Sequence, residues 1–203
     1  MSEIRLRPVG DRGAILDLPD NAAAVRVARA LAALSDRLVD VVPGHRTVLV
    51  TWTTEPRHTE ILAVAEVALG AADDRQPGRQ IEIPVAYGGP DLGDVARLTG
   101  LSPEEVATRH LAGEYVVAFL GFAPGFAYLI GGDDGLNVPR LAEPRPRVPA
   151  GSVALAGPYS GIYPRDSPGG WRLIGVTQAT LFDPTRRPPA LLAAGDRVCF
   201  VQA

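Results

Sequence analysis

The stretch from Gly121 to Thr177 reads GFAPGFAYLIGGDDGLNVPRLAEPRPRVPAGSVALAGPYSGIYPRDSPGGWRLIGVT. Its first fifty residues hold ten of the 22 glycines of the chain and eight of its 19 prolines. Gly permits backbone conformations with positive φ, and Pro fixes φ and removes a hydrogen-bond donor. The stretch also carries aromatic residues that a disordered linker would lack: Phe122, Phe126, Tyr128, Tyr159, Tyr163 and Trp171. We therefore expect tight turns and short strands that shape a binding surface.

The composition is that of a globular protein of 203 residues, with 46% hydrophobic residues and a net charge of −3. This weak negative charge gives no reason to expect nucleic acid or an anionic membrane as a partner. No apolar run approaches the roughly 18 residues of a membrane span, so a cytoplasmic location is expected. All 20 basic residues are Arg, which excludes a Schiff-base lysine and a lysine-containing phosphate loop within this chain.

The first 86 residues alternate between strand and helix patterns. Two short strands, Ile4–Val9 and Gly13–Leu18, precede a helix over about 22–34 that Asp20 or Asn21 can cap. The next predicted elements are the strands Leu38–Val42 and Thr47–Trp52, a helix from Thr54 to Leu69, and the strand Gln80–Ala86. Read from Gly13, the order of strands and helices is that of the ferredoxin-like α+β fold. Residues 1–86 are predicted to form one such domain, with an extra strand at the front.

Residues 87–112 are predicted to form a helical connector to a second domain. Asp91 opens a short helix, and Ser102-Pro103-Glu104-Glu105 is a capping box with Pro at the first helical position of another. Short strands broken by Gly or Pro turns then predict a small β-barrel over residues 113–203. The clearest of these strands are Tyr115–Leu120, Trp171–Thr177 and Arg197–Val201.

We call Gly121–Thr177 the opening stretch. Two parts of it carry aromatic or guanidinium side chains on a backbone whose conformation Pro restricts. In Gly121–Tyr128, two Phe flank a Pro-Gly turn, which predicts either a plug at a barrel corner or the wall of a pocket. In the Pro-rich segment that follows, each residue before a Pro is pushed towards extended geometry, so Arg145 and Arg147 project from a stiff chain. Fixed guanidinium groups suit a carboxylate or a phosphate, and surface ion pairs are the alternative.

The run Gly161–Trp171 offers hydroxyl groups at Tyr163 and Ser167. Ser167 lies in no G-x-S-x-G motif and the nearest histidine, His110, is distant in sequence, so a Ser–His hydrolase is disfavoured. No set of His, Cys or carboxylate residues has the spacing of metal ligands, and no metal is predicted. The residues alone indicate a binding surface for a small acid or amide.

Four motifs resemble the family of 5-oxoprolinase B-subunits, also called allophanate hydrolase subunit 1. They are GFAPGFAYL at 121–129, VPRLAEPRPRVPAGSVALAG at 138–157, SGIYPRDSPGGWRLIG at 160–175 and LFDPTRRPPALLAAGDRVCF at 181–200. The resemblance implies a cyclophilin-like barrel at the C-terminus, a larger partner (the C-subunit, similar to allophanate hydrolase subunit 2) and, in the oxoprolinase system, a third subunit. That complex hydrolyses 5-oxoproline to glutamate with ATP.

Three positions depart from the family pattern. The chain has Tyr159-Ser160 where the family has Gln-Thr, Val176-Thr177 where Arg-Thr is common, and Ile130-Gly131 where the family has Gly-Gly. The first two departures remove polar groups from the expected pocket.

The resemblance implies a component of an ATP-dependent cyclic-amide hydrolase that is inactive alone and acts on 5-oxoproline or a close analogue. The residues expected to bind the substrate are Phe122, Tyr128, Arg140, Arg145, Arg147, Ser152 and Trp171. The candidate catalytic residues are His110, Ser167 and Tyr163, and for His110 a surface role at a helix end is the alternative. ATP is expected to be bound by the partner or together with it.

Two other functions stay open from the resemblance. The family includes an inhibitor of a sporulation histidine kinase, which implies a regulatory binding protein. A related module forms the carboxyltransferase region of urea carboxylase, which implies transfer of a carboxyl group carried by biotin.

Overall fold

The computed structural model describes residues 4–34, 37–54, 58–71 and 78–203. The chain divides into two compact units, Met1–Gln76 and Pro77–Ala203. The α+β class and the C-terminal β-barrel expected from the sequence are confirmed. Within the described ranges, no helix has the length and apolar content that a membrane crossing requires.

The first unit is a four-stranded antiparallel sheet with two helices. Its elements are β1 (Arg5–Pro8), β2 (Gly13–Asp17), α1 (Asn21–Ala32), β3 (Asp40–Pro43), β4 (Thr47–Thr51) and α2 (His58–Gly70). The strand order is β1-β2-β4-β3. Asp20 caps α1 as expected, because its carboxylate accepts a 2.7 Å hydrogen bond from the N–H of Ala23. The helix start predicted at Thr54 adjoins residues 55–57, which lie outside the described ranges.

The predicted ferredoxin-like order holds for five elements and is wrong for the last strand. That strand, β5 (Gln80–Tyr87), pairs with strands of the second unit. β1 instead occupies the position beside β2 that the last ferredoxin strand would fill. The boundary therefore lies after Gln76 and not at residue 86, because β5 buries Ile83 and Val85 in the core of the barrel.

The second unit is built around a closed seven-stranded barrel. After β5, its elements are α3 (Leu92–Thr99), α4 (Pro103–Ala112), β6 (Tyr115–Leu120), β7 (Ala127–Ile130), β8 (Arg145–Val148), β9 (Ser152–Ala156), β10 (Tyr159–Ile162), β11 (Ser167–Gly169), β12 (Arg172–Val176) and β13 (Arg197–Gln202). The barrel order is β10-β7-β6-β13-β5-β12-β9, and β8 and β11 form a separate two-stranded antiparallel sheet. β5 and β13 run parallel, whereas the other barrel pairs are antiparallel.

The two helices predicted as a connector belong to the barrel unit. The capping box of α4 is present: the N–H of Glu105 donates to Ser102 Oγ at 3.1 Å, and the N–H of Ser102 donates to the Glu105 carboxylate at 2.7 Å. Both helices are too short to enclose a core. They bury Val95 and Val106 in the barrel core instead, and so extend it.

The barrel wall separates two clusters of buried side chains. Successive residues of a strand point to opposite faces. On β9, Val153 and Leu155 join the interior core, which takes side chains from all seven strands, whereas Ala154 and Ala156 join a second cluster on the outer face. This outer face carries most of the aromatic residues of the opening stretch.

Candidate functional site

Aromatic side chains cover the outer face of the wall. We call five of these rings the aromatic platform: Phe119, Phe126, Tyr128, Tyr159 and Trp171. Trp171 is its centre, because its ring centroid lies 5.3 Å from that of Phe126, 5.4 Å from that of Tyr128 and 6.4 Å from that of Tyr159. Tyr128 also stacks on Phe119 at 4.3 Å. Phe126 and Trp171 are buried and the other three rings are half-buried, so the platform is anchored and still meets solvent.

A glycine in β10 makes room for the platform. A Cβ at Gly161 would lie 2.9 Å from the ring of Trp171 and 3.1 Å from that of Phe126. Any other residue at this position would therefore displace one of the two buried rings. Glycine is required at position 161 by close packing and not by backbone conformation.

Arg140 brings a positive charge to the platform. Its guanidinium carbon lies 5.8 Å from the centroid of the Trp171 ring, within the range of a cation–π contact. The side chain is exposed, and within the described part of the chain it forms no ion pair. Arg140 thus lies beside aromatic rings with its side chain exposed to solvent.

Arg145 is held by a buried carboxylate. Its Nη2 donates to Oδ1 of Asp91 at 2.6 Å, and Oδ2 of Asp91 accepts from the N–H of Leu173 at 2.7 Å. The side chain of Asp91 is 5% exposed and that of Arg145 is 29% exposed. Nη1 of Arg145 is buried without a hydrogen-bond partner among the described residues. Arg145 therefore links the two-stranded β8–β11 sheet, through Asp91, to β12 of the barrel.

Arg147 lies at the surface. Its side chain is 77% exposed and its Nε donates to Oδ2 of Asp166 at 2.8 Å. Asp166 also accepts from the N–H of Ala150 at 2.9 Å, and this bond, followed by that to Arg147, lowers the pKa of the Asp166 carboxyl. The surface ion pair, which the sequence left as the alternative, is the arrangement observed for Arg147.

Tyr163 packs against the buried side of the platform. Its ring is buried and lies edge-on to Phe126 at a centroid distance of 5.4 Å. Its hydroxyl hydrogen-bonds to the backbone of Trp171 and packs so closely on Gly169 that a Cβ there would collide with it. Burial raises the pKa of Tyr163. These contacts fix the backbone just before Trp171.

The two candidate serines are used in local turns. Oγ of Ser152 donates to the carbonyl of Pro149 at 2.8 Å, and Oγ of Ser167 donates to the carbonyl of Arg165 at 3.3 Å. Ser152 is buried and Ser167 is half-buried. Both hydroxyls therefore bond to their own turns and not to the platform.

The surface role considered for His110 is wrong, because the side chain is 0% exposed. Its Nδ1 lies 2.6 Å from the hydroxyl of Tyr87 and its Nε2 lies 2.8 Å from Oγ of Ser160. The serine partner of His110 is therefore Ser160 and not Ser167. Burial lowers the pKa of His110 to about 3, so the imidazole is neutral at physiological pH. As a buried group it does not face the platform as an acid or base would.

The two Phe of the Pro-Gly turn have different environments. Phe126 is buried in the platform, whereas Phe122 is 59% exposed and has a φ of 66°. The N–H of Ala123 donates to the carbonyl of Gly121 at 2.7 Å, which closes a γ-turn around Phe122 of the kind that is rare and strained. Phe126 therefore fills the packing of the platform, and Phe122 projects into solvent from a fixed turn.

Replacing Phe122 with Gly should leave the unit at least as stable, whereas Ala should destabilise it. A non-glycine residue in left-handed geometry costs about 1 kcal/mol, which Gly relieves and Ala retains. Both variants lose the contact of the Phe122 ring with that of Phe126, whose centroid lies 5.4 Å away. We expect the Gly variant to exceed the Ala variant by about 1 kcal/mol in the free energy of unfolding, measured by urea denaturation. Equal stability of the two variants would show that the turn is not strained.

Several residues of the site were not among those predicted. Tyr159 was named only among the aromatic residues and, with Ser160, as a departure from the family pattern, and Asp91 was named only as the start of a helix. A usable signal for Tyr159 was its period-two spacing with Gly161 and Tyr163, which places all three on one face of a strand. Nothing in the local sequence ties Asp91 to Arg145, because 54 residues separate them.

Among the described residues, no group of three or more His, Cys, Asp or Glu side chains is placed to hold a metal ion.

Residues 4–192 match the family described as carboxyltransferase domain, subdomain C and D. The chain belongs to this family. It is also 42% identical to the 5-oxoprolinase B-subunit of Escherichia coli O157:H7 over 99% of the chain and 97% of that protein. It is 54% identical to the 5-oxoprolinase B-subunit of Bacillus subtilis (strain 168) over 64% of the chain. The alignment spans 56% of the length of the B. subtilis relative. The family resemblance inferred from the motifs is confirmed.

Solved structures support the same fold. TTHA0988 is 40% identical with a TM-score of 0.81, and the match covers 95% of this chain and 40% of that one. PH0987 from Pyrococcus horikoshii is 37% identical with a TM-score of 0.60 over 98% of this chain and 97% of that one. The Kluyveromyces lactis urea carboxylase shares the fold, with a TM-score of 0.73 at 16% identity over 22% of its length.

Proposed function

We propose that this chain is one component of an ATP-dependent cyclic-amide hydrolase that acts on 5-oxoproline or a close analogue together with a larger subunit. The observation that carries the proposal is Arg140, an exposed guanidinium seated on the ring of Trp171. The relatives are named as B-subunits of 5-oxoprolinase, which supports the same reaction and the presence of other subunits.

The platform suits a small acidic lactam. A carboxylate on the guest would receive charge-assisted hydrogen bonds from Arg140. The flat lactam ring would lie against Tyr128 and Tyr159, whose half-buried rings exclude water from one side. A hydroxyl donor on the platform, such as that of Tyr128, would polarise the amide carbonyl. Phe122 would form the rim.

The three candidate catalytic residues take supporting roles in this proposal. Tyr163 orients Trp171, because its hydroxyl contacts the Trp171 backbone. Ser167 holds its own turn, and His110 lies inside the barrel. We therefore assign binding and orientation of the lactam to this chain, and we assign the group that attacks the activated amide to the larger subunit.

The residues of the site do not fit a nucleoside triphosphate. A triphosphate requires several uncommitted cationic groups or N–H donors. Of the three arginines, Arg145 and Arg147 are already paired with Asp91 and Asp166. We therefore place ATP on the larger subunit. The match to 40% of TTHA0988, in which this fold is part of a longer chain, fits a second functional part beside it.

Arg140→Ala should lower kcat/KM for 5-oxoproline at least about tenfold, which corresponds to about 1.4 kcal/mol of transition-state stabilisation. The physical reason is the loss of the charge-assisted hydrogen bonds to the carboxylate of the substrate. The measurement is ADP release by the chain co-expressed with its larger partner. Arg140→Lys keeps the charge and loses the planar guanidinium, so its kcat/KM should lie between those of the wild type and Arg140→Ala.

Arg147→Ala is the matched control. It removes the same side chain from an exposed ion pair and should change kcat/KM less than about twofold. If kcat/KM fell further in Arg147→Ala than in Arg140→Ala, the substrate would be assigned to the surface of the two-stranded β8–β11 sheet. A purified pair of subunits that hydrolyses no lactam would contradict the proposed function itself.

The family description favours carboxyl transfer as a second candidate, since the matching family is a carboxyltransferase domain. A carboxylated biotin also presents a flat ring and a carboxylate, which the platform and Arg140 would accept by the same contacts. Transfer of carboxyl from a biotin carrier, without consumption of lactam, would establish this candidate in place of the first.

A further inference from the structure

A buried polar chain lies behind the aromatic platform, inside the barrel. It runs from the hydroxyl of Tyr87 through the imidazole of His110 to Oγ of Ser160. Phe200 packs on the imidazole with a centroid distance of 4.4 Å, and Tyr115 lies at 5.2 Å. Tyr87 is on β5 and Ser160 on β10, which are not neighbours in the barrel. These hydrogen bonds therefore link β5 to β10 across the interior of the barrel.

Ser160 is the inward neighbour of a platform residue. Tyr159 precedes it on β10 and points to the opposite face, where its ring meets those of Trp171 at 6.4 Å, Tyr128 at 5.4 Å and Phe119 at 6.0 Å. A movement of the backbone at Ser160 would move Tyr159 with it, because the two residues share a peptide bond.

β10 is paired more extensively along one edge than along the other. Four residues of β10 pair with β9, and Ser160 pairs with Leu129 of β7. β7 carries Tyr128, so the position of β10 against β7 sets the contact between Tyr128 and Tyr159. The hydrogen bond from His110 acts on β10 at the residue where the two strands meet.

His110 is itself rigidly placed. It lies in the last turn of α4, which begins with a complete capping box, and its ring is held by Tyr87 and Phe200. A buried, satisfied polar network of this kind specifies one arrangement of a core, whereas an apolar side chain would allow several.

We propose that His110 is a positioning residue for the aromatic platform, which acts through its hydrogen bond to Ser160 and so fixes the ring of Tyr159 against Trp171 and Tyr128. The consequence for turnover rests on the proposed function. The positioning itself is a property of this chain and is measured without a substrate.

The positions of Trp171 and Trp52 are read separately by fluorine NMR. The chain has two tryptophans, so labelling with 5-fluorotryptophan gives two resonances, which Trp52→Phe assigns. Ser160→Ala and His110→Asn should both shift the Trp171 resonance. His110→Gln should not, because its amide reaches the position of Nε2 whereas that of Asn reaches only Nδ1. The Trp52 resonance should stay in place throughout.

Tyr87→Phe is the matched control. It removes the hydrogen bond on the other side of the same imidazole and leaves the bond to Ser160. It should lower stability by a similar amount and leave the Trp171 resonance in place. The proposal is overturned if Ser160→Ala leaves that resonance unchanged, or if Tyr87→Phe moves it as far as Ser160→Ala does. Ser160→Ala, the smallest change, carries the test if the His110 variants do not fold.

In the complex with the larger subunit, Ser160→Ala should raise KM for 5-oxoproline about fivefold, the size of one lost neutral hydrogen bond, and leave kcat unchanged. A purely structural defect would lower the amount of active enzyme and hence kcat. If the wild-type complex hydrolyses no lactam while the Trp171 resonance responds as expected, the proposed function fails and the positioning role stands.

Discussion

Replacing Asp91 with Ala should lower the free energy of unfolding of the barrel unit by about 3 kcal/mol. The change leaves the partly buried guanidinium of Arg145 without its carboxylate, and removal of one partner of a buried ion pair costs about 3–5 kcal/mol. It also leaves the buried N–H of Leu173 without an acceptor. Urea denaturation followed by the signal of Trp171 measures the loss.

Two further variants test whether the loss of stability comes from the buried ion pair between Asp91 and Arg145. Asp91→Asn keeps an oxygen for the N–H of Leu173 and loses the charge, so it should retain part of the stability. Asp94→Ala, in the first turn of α3, removes a carboxylate that is 49% exposed and pairs with Arg97 and Arg172, and it should cost less than about 1 kcal/mol. Similar losses for Asp91→Ala and Asp94→Ala would remove the buried ion pair as an explanation.

Asp91 also shows why a local rule identified an element and missed its role. Position before a short helix predicts an N-cap, and α3 does begin at the next residue. Its carboxylate makes no capping bond and turns instead to β12 and β8. Its partners, Arg145 on β8 and Leu173 on β12, lie far along the chain. A sequence pattern within a window of a few residues therefore cannot include them.

The same limit governs the fold. Elements with local signals were predicted closely, such as the capping box at Ser102 and the strand Tyr115–Leu120. The strand Gln80–Tyr87 was recognised as a strand and assigned to the wrong unit. Its partners are β13 and β12, and strand pairing over such separations is set by the tertiary core and not by propensity. A match to the ferredoxin-like order then made the local error look consistent.

At the site, the sequence predicted residue types better than arrangement. Arg140, Tyr128 and Trp171 do meet on one surface. Arg147 does not, because the extended geometry that Pro imposes fixes the backbone and leaves the choice of partner to Asp166. The outward face of β10 could be derived from its alternation, but only once β10 was known to be a barrel strand.

Acid should destabilise the barrel unit well before the carboxylates titrate. His110 is neutral in the folded unit, where its pKa is about 3, and binds a proton in the unfolded chain near pH 6.5. As the pH falls below 6.5, the unfolded state binds a proton that the folded state does not, so stability decreases by about 1.4 kcal/mol per pH unit. The stability contributed by the neutral imidazole is complete above about pH 7 and about 2 kcal/mol lower at about pH 5.

The comparison that isolates this effect is His110→Gln. The variant has no titrating group at this position, so its free energy of unfolding should change little between about pH 7 and pH 5, although it is lower at pH 7. The carboxyls of this unit with lowered pKa are Glu105, Asp166 and Asp183, and they lose their stabilisation mainly below their ordinary pKa values of 4.5, 3.8 and 3.8. Urea denaturation of both proteins at about pH 7, 6 and 5 gives the difference directly. Parallel pH profiles for the two proteins would mean that the imidazole is protonated inside the barrel, and its hydrogen bonds to Tyr87 and Ser160 would then have to be those of a cation.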